Sequence, residues 1–202
     1  IASWPILADP GSQMRGGSIE EDSNVVTTGE ILCGSASFTE SLEEAEVIVH
    51  VGLTPTSKGY KTWITENPPA KKILIDPGTD WGDPSHQVAE VYQGNPFSVF
   101  SDKEKQIRPT SNWLEKWKEA DTLANSVVKD LIGSAGTGEI STIHAVRMGV
   151  PDEATIVLSN SMVIRDAELA FLNTGTAFRT ISNRGANGID GLVSTSTGVA
   201  HG

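Results

Sequence analysis

Glu46-Val-Ile-Val-His-Val51-Gly52, Lys72-Ile-Leu-Ile75-Asp-Pro-Gly78 and Val88-Ala-Glu-Val-Tyr-Gln93-Gly94 decide the fold. Each is a short run rich in apolar and β-branched residues, closed at once by Gly, Pro or Asp. Buried strands read this way. Trp4–Ala8, closed by Asp9-Pro-Gly11, adds an earlier run of the same kind, and short helices are expected at Thr39–Ala45 and Ser57–Thr65. A strand–helix–strand rhythm predicts the α/β class: an open parallel sheet with helices on both faces.

Further along, the rhythm pauses and then resumes. Residues 101–111 are polar and contain Pro109, which marks a domain boundary. Beyond it Trp113, Trp117, Ala120, Ala124, Val127, Val128 and Leu131 recur at steps of three and four, with Glu115, Lys118, Glu119 and Lys129 off the stripe. This spacing predicts an amphipathic helix that starts at Asn112 and stops at Gly133, its two tryptophans serving as core anchors. A helix at Ile140–Met148, a strand at Thr155–Leu158, a helix at Met162–Phe171 and a strand at Phe178–Ser182 follow. Another helix is expected to open near Gly188.

Composition removes whole classes of function. The 202 residues carry 26 acidic and 15 basic side chains, a formal charge of −11, with no Lys/Arg cluster for a nucleic acid to meet. No apolar stretch approaches the ~20 residues of a membrane-spanning helix. The single cysteine, Cys33, excludes an internal disulfide and a Cys-based zinc site, and fits a reducing cytoplasm or equally a secreted domain without disulfides. Ile1 is not an initiator Met, and Gly191–Gly202 reads as a helix still in progress, so the chain is expected to be a fragment of a longer protein.

Several motifs fall away when their spacing is checked. Gly52-Leu-Thr-Pro-Thr-Ser-Lys58-Gly59 has Ser57 and Gly59 where a P-loop needs Gly and Ser/Thr. What remains is Lys58 at the start of a helix after a strand, a candidate contact for an anion or a solvated lysine. Gly133–Gly138 lies between helices and reads as a linker. His50, His86, His144 and His201 show no metal-ligand spacing. Cys33 has no neighbouring base, and no Gly-x-Ser-x-Gly elbow occurs.

Two strand–turn–helix joints are more informative. In Val157-Leu-Ser-Asn160-Ser161-Met-Val-Ile-Arg165-Asp166, small polar residues make the turn and Arg165 lies one helical turn after Ser161. The helix start offers free N–H groups to a phosphate, with Ser161 adding a hydroxyl; alternatively Ser161 or Asn160 only caps the helix and Arg165 is a surface residue. In Ile181-Ser-Asn-Arg184-Gly-Ala-Asn-Gly-Ile189-Asp190-Gly191, Gly and Asn let the backbone approach a ligand closely, and Arg184 at the strand end could meet an anion. Ile189 is either a staple for the next helix or a wall against a ligand.

Ser159-Asn-Ser-Met-Val-Ile-Arg165-Asp166 and Ser182-Asn-Arg184-Gly-Ala-Asn-Gly-Ile189-Asp190-Gly-Leu-Val-Ser-Thr195 together resemble the MenD family. These are the 2-succinyl-5-enolpyruvyl-6-hydroxy-3-cyclohexene-1-carboxylate synthases of menaquinone biosynthesis, which use thiamin diphosphate. Pro5-Ile-Leu-Ala-Asp-Pro10, Ser12-Gln-Met-Arg15 and Pro55-Thr-Ser-Lys58 agree in order and spacing, so the resemblance runs along most of the chain. It implies a central domain at 1–108, a linker helix at 109–134, and the first βα units of a diphosphate-binding α/β domain at 135–202.

The same resemblance implies a cytoplasmic, homo-oligomeric transferase, dimer or tetramer, with thiamin diphosphate and Mg²⁺ or Mn²⁺ as cofactors. It would decarboxylate 2-oxoglutarate and add the resulting succinyl-semialdehyde carbanion to isochorismate. Carried over by position, Asn160 and Ser161 lie at the diphosphate, Ile189 supports the bent cofactor, and Lys58, Arg165 and Arg184 hold substrate carboxylates. Guanidinium forks suit carboxylates. The family's activating glutamate and its Gly-Asp metal motif have no counterpart in these residues, since Gly82-Asp83-Pro84 precedes both turns. The chain alone is therefore expected to hold no metal and no complete catalytic apparatus. Two other readings stand beside this one: a non-catalytic nucleotide-binding or regulatory α/β domain, and a different thiamin-diphosphate lyase or synthase.

Overall fold

Parallel pairing joins every strand in a computed structural model of the chain, which describes residues 4–16, 23–78, 82–96, 98, 112–134, 136–172, 177–183 and 190–202. β1 (Ile6–Leu7) pairs with β2 (Val25–Val26). β3 (Val47–Val51), β4 (Lys71–Asp76) and β5 (Val88–Gln93) form a sheet in that order, and β6 (Ala154–Leu158) pairs with β7 (Phe178–Ser182). Parallel neighbours need a crossover. α3 (Lys58–Glu66) supplies it between β3 and β4, and α6 (Met162–Ala170) between β6 and β7. The α/β class therefore holds, with the strands grouped, among the described residues, in three parallel sheets.

The runs at 46–51, 72–75, 88–93, 155–158 and 178–182 became strands where expected, but β3 and β5, the edges of the three-stranded sheet, are partly and largely exposed rather than buried, and other features did not follow the sequence pattern. The run at Trp4–Ala8 contracts to β1, and β2 is a strand of two residues that no run rule detects. No helix forms at Thr39–Ala45. The chain is helical earlier, in α1 (Gly29–Cys33) and α2 (Ala36–Thr39), where the Thr39 and Ser41 hydroxyls donate back to the carbonyls of Ser35, Ala36 and Phe38 and end the helix in a turn. α4 (Trp113–Ser134) continues one residue through Gly133, and α5 (Glu139–Gly149) follows after the glycine-rich linker. α7 (Leu192–His201) opens later than Gly188, because Gly191 sits at φ 79 and a left-handed residue cannot belong to the helix it precedes. Gly188 and the boundary at 101–111 lie outside the described residues.

Two apolar clusters hold these elements. Val26, Leu32, Cys33, Tyr60, Trp63, Ile64 and Trp117 are buried together, with Phe38, Leu42, Ile48 and Trp113 packed against them. Trp117 is completely buried. It packs edge-on against Phe38, Trp63 and Trp113 at centroid distances of 4.9, 5.9 and 5.8 Å. The tryptophan half of the α4 stripe, Trp113 to Ala124, is thus a core seam, whereas Val127 and Leu131 further along it are exposed, because the core cluster ends before them. The second cluster, Ile156, Leu158, Ile164, Ala167, Ala170, Phe171 and Phe178, lies within the β6–α6–β7 unit. Each cluster backs one strand-to-helix turn, which brings the candidate residues to defined positions.

Candidate functional site

Ser161 ends the β6–α6 turn as the residue before the first turn of α6, with φ 68 and ψ −123. A non-glycine residue costs about 1–3 kcal/mol in such a conformation and is held there only by its surroundings. Its hydroxyl makes no cap bond to the helix. Ser161 therefore does not cap the helix with its side chain, and among the described residues no bond engages its hydroxyl. Arg165 reaches back one turn, its Nη1 donating to the Ser161 carbonyl at 2.7 Å. None of the ion pairs among the described residues involves Arg165. Asp166 beside it is buried, and its carboxyl is held above the ordinary range by burial and by Glu139, with Arg165 opposing.

The turn after β7 is tied to this one. Asn160 Nδ2 donates to the Asn183 carbonyl at 3.2 Å, so the carboxyl ends of β6 and β7 form one rim. Ligands of parallel sheets gather at such rims. Arg184 and Ile189, the remaining candidates on this side, lie outside the described residues.

Lys58 stands at a different turn. It is exposed as the first residue of α3, whose cap is Ser57: the Ser57 hydroxyl accepts from Tyr60 N at 3.0 Å. The anion at this helix start is internal. Glu30 Oε2 accepts from Gly59 N at 2.8 Å and from the Ser57 hydroxyl. Favourable interactions between a carboxylate and a helix N-terminus are therefore already made here within the chain. The structure joins Asn160, Ser161 and Arg165 at one turn and leaves Lys58 beside a turn that Glu30 closes.

Other ionisable groups are engaged in the fold. His50, in β3, is buried with its Nε2 against the Tyr60 hydroxyl, and burial with the nearby Lys72 charge lowers its pKa to about 4. Burial, then Glu30 and Glu168, push the Cys33 thiol up to about 12, which removes it as a nucleophile. Asp83 is bound by Lys72 Nζ at 2.8 Å. Burial alone would raise its pKa, but Lys72, Ser85 and the N–H groups of Val88 and Gln87 outweigh that and hold it well below the usual carboxylate range. Among the described residues no cluster of three or more His, Cys, Asp or Glu could hold a metal ion, and no helix is long and apolar enough to cross a membrane.

One group of residues escaped the sequence reading. Arg15 is buried, with Nε donating to the Ala8 carbonyl at 2.6 Å and Nη1 to the Glu168 carbonyl at 2.8 Å; Nη2 pairs with the Glu168 carboxylate. Burial pushes the Glu168 carboxyl up to about 7, against the pull of Arg15. The scarcity of positive charge in so acidic a chain was the signal that could have singled out Arg15.

The family model described as "Middle domain of thiamine pyrophosphate" matches residues 2–158. Curated relatives named 2-succinyl-5-enolpyruvyl-6-hydroxy-3-cyclohexene-1-carboxylate synthase are similar from end to end of the chain. That of Listeria welshimeri is 31% identical over 98% of this chain and 34% of its own length. Those of Bacillus velezensis and Geobacillus thermodenitrificans are each 30% identical, over 100% and 98% of this chain and 35% and 34% of their own lengths. The chain spans about a third of the length of the curated relatives it matches.

Proposed function

Since the chain belongs to the family of thiamine pyrophosphate middle domains, we propose that it is the central part of a 2-succinyl-5-enolpyruvyl-6-hydroxy-3-cyclohexene-1-carboxylate synthase, together with the start of its diphosphate-binding part. The observation that carries this reading is the match to synthases of that one name along essentially the whole chain. The proposed organisation is a central domain at 1–108, a linker helix at 109–134 and the beginning of the diphosphate domain at 135–202. The whole protein would be a cytoplasmic homo-oligomer that meets neither nucleic acid nor membrane, and its substrates would be isochorismate and 2-oxoglutarate.

Asn160 and Ser161 would hold the diphosphate. The unclaimed Ser161 hydroxyl and the first N–H groups of α6 suit its oxygens. Ile189 would support the cofactor from the neighbouring turn. Arg165, Arg184 and Lys58 would bind and orient substrate carboxylates, and the Arg165 guanidinium, free of any described ion pair, fits that task. Thiamin diphosphate, when bound, supplies the electron sink that makes decarboxylation of a 2-oxo acid feasible. Mg²⁺ or Mn²⁺ would be held by residues outside this chain.

Calorimetric titration of thiamin diphosphate and Mg²⁺ tests this, comparing the 202-residue chain with a full-length synthase containing it. The full-length protein should bind the cofactor and release CO₂ from 2-oxoglutarate when isochorismate is present, and the chain alone should bind poorly. Micromolar affinity in the chain alone would overturn the placing of the metal ligands elsewhere. Cofactor binding without CO₂ release would overturn the substrates.

A further inference from the structure

The segment Gln13–Gly16 runs beside the free edge of β7 without being a strand. Gln13 Oε1 accepts from Thr180 N at 3.0 Å, and Gln13 Nε2 donates to the Thr180 carbonyl. One carboxamide thus satisfies both backbone groups of an edge residue, which otherwise stand open for pairing. Gly16 lies so close to Phe178 that a Cβ there would come within 2.3 Å of the Phe178 carbonyl oxygen, so only glycine fits. Arg15, between these contacts, passes under α6 and binds Glu168 through both its main-chain carbonyl and its carboxylate.

Among the described residues Arg15 supplies the hydrogen-bond partner of that carboxylate, whose Oε2 has none. A buried Arg–Glu pair is weak evidence for stability, because desolvation offsets much of the attraction, but it fixes register well. Glu168 is seven residues after Ser161, roughly 10 Å along the helix axis at ~1.5 Å per residue. A guanidinium held at two points on Glu168 sets both the axial position and the rotation of α6. Asn160 closes the circuit through the Asn183 carbonyl at the end of β7.

We propose that Gln13–Gly16 is a clasp that sets the geometry of the Asn160–Ser161 turn, with Gln13 and Arg15 as positioning residues for the diphosphate and substrate held there. This rests on the functional reading given above. Gln13 acts through β7 and Arg15 through α6, and neither touches the bound groups. The clasp belongs to the amino-terminal part of the chain while the turn it sets lies more than a hundred residues on, so it couples the two parts of the proposed synthase.

The test uses the full-length synthase, titrated with thiamin diphosphate and Mg²⁺ and assayed with 2-oxoglutarate and isochorismate. Gln13→Ala should raise the cofactor Kd about tenfold, and Arg15→Lys should lower kcat about tenfold, both with the melting temperature within a few degrees of wild type. The exposed neighbour Met14→Ala should change none of these. The double variant Gln13→Ala/Ser161→Ala should bind cofactor no worse than Ser161→Ala alone, because both changes disturb one turn. Multiplying effects in the double variant, or a lower melting temperature with Kd and kcat intact, would overturn the clasp and leave Gln13 a structural residue. A wild-type protein that binds no thiamin diphosphate overturns the functional reading instead, and is recognised because Ser161→Ala then changes nothing either.

Discussion

The β3–α3 and β6–α6 turns begin from nearly the same sequence pattern and end as opposites. Each follows a parallel strand, places a serine before a helix, and carries a basic residue in or near the first turn. At β3–α3 the serine keeps a negative φ of −45, caps Tyr60 N, and shares the Glu30 carboxylate with Gly59 N. At β6–α6 the serine is forced to φ 68, caps nothing, and the basic residue binds the serine's own carbonyl. The first turn is closed by an anion that belongs to the chain. The second keeps its donors and a strained residue, as the proposed diphosphate contact requires.

Removing the internal anion should break this contrast most strongly. Glu30→Ala leaves Gly59 N and the Ser57 hydroxyl without their acceptor at the start of α3, against the tryptophan core. Charge-assisted bonds are worth ~1.5–3 kcal/mol each, so a loss of about 3–4 kcal/mol is expected in chemical denaturation. Glu30→Gln, which keeps an acceptor, should lose about half as much. A loss below ~1 kcal/mol for Glu30→Ala would mean that solvent already serves this helix start.

Acid should act on the closed turn through His50. His50 is kept neutral, with its pKa lowered from 6.5 to about 4, and it touches Tyr60 in the first turn of α3. Between these values the unfolded chain takes up a proton that the folded chain refuses, so stability falls as pH drops through that window. The difference corresponds to about 3 kcal/mol, complete near pH 4. His50→Phe should flatten that part of the stability–pH curve, followed by denaturation at a series of pH values. An unchanged slope would show that other groups govern the acid limb.

Next in size is Arg165→Lys, which keeps the charge and loses the fork. If Arg165 holds a carboxylate as proposed, about 2 kcal/mol should be lost in kcat/KM of the full-length protein with 2-oxoglutarate and isochorismate, with little change in melting temperature. A stability loss with unchanged kinetics would make Arg165 a helix-end brace for the Ser161 carbonyl and no more.

How far the sequence revealed these turns depends on the distance over which each contact acts. β3 to β7 were legible because each is a five- or six-residue run with its own stop signal, and α4 because its stripe repeats over six turns. β1 and β2, two residues each, exist only through each other. Asn160, Ser161 and Arg165 were legible as a turn. That Ser161 is strained and uncapped was not, since a serine before a helix ordinarily predicts a cap. The closing of the β3–α3 turn was hidden because Glu30 lies 27 residues before Ser57, and Arg15 was hidden because its carboxylate lies 153 residues away. Sequence pattern reports what a residue can do locally, and the choice between a closed and an open turn is made by a residue brought from elsewhere.

The smallest expected effect separates the two serines most cleanly. Ser57→Ala removes a working cap and one of the two donors to Glu30, and should cost about 2–3 kcal/mol of stability. Ser161→Ala removes no cap and keeps the same strained backbone, so stability should stay within ~0.5 kcal/mol. Ser161→Gly relieves strain of ~1–3 kcal/mol but gives the unfolded chain more freedom, worth up to ~1 kcal/mol, so a net gain near 1 kcal/mol is expected. Both Ser161 variants lose the hydroxyl, and in the full-length protein both should weaken thiamin diphosphate binding by about 1–2 kcal/mol. Stability and affinity therefore move in opposite directions in Ser161→Gly, which no capping role can produce. If Ser161→Ala instead loses as much stability as Ser57→Ala and binds cofactor normally, the two turns are alike and the open site at α6 must be given up.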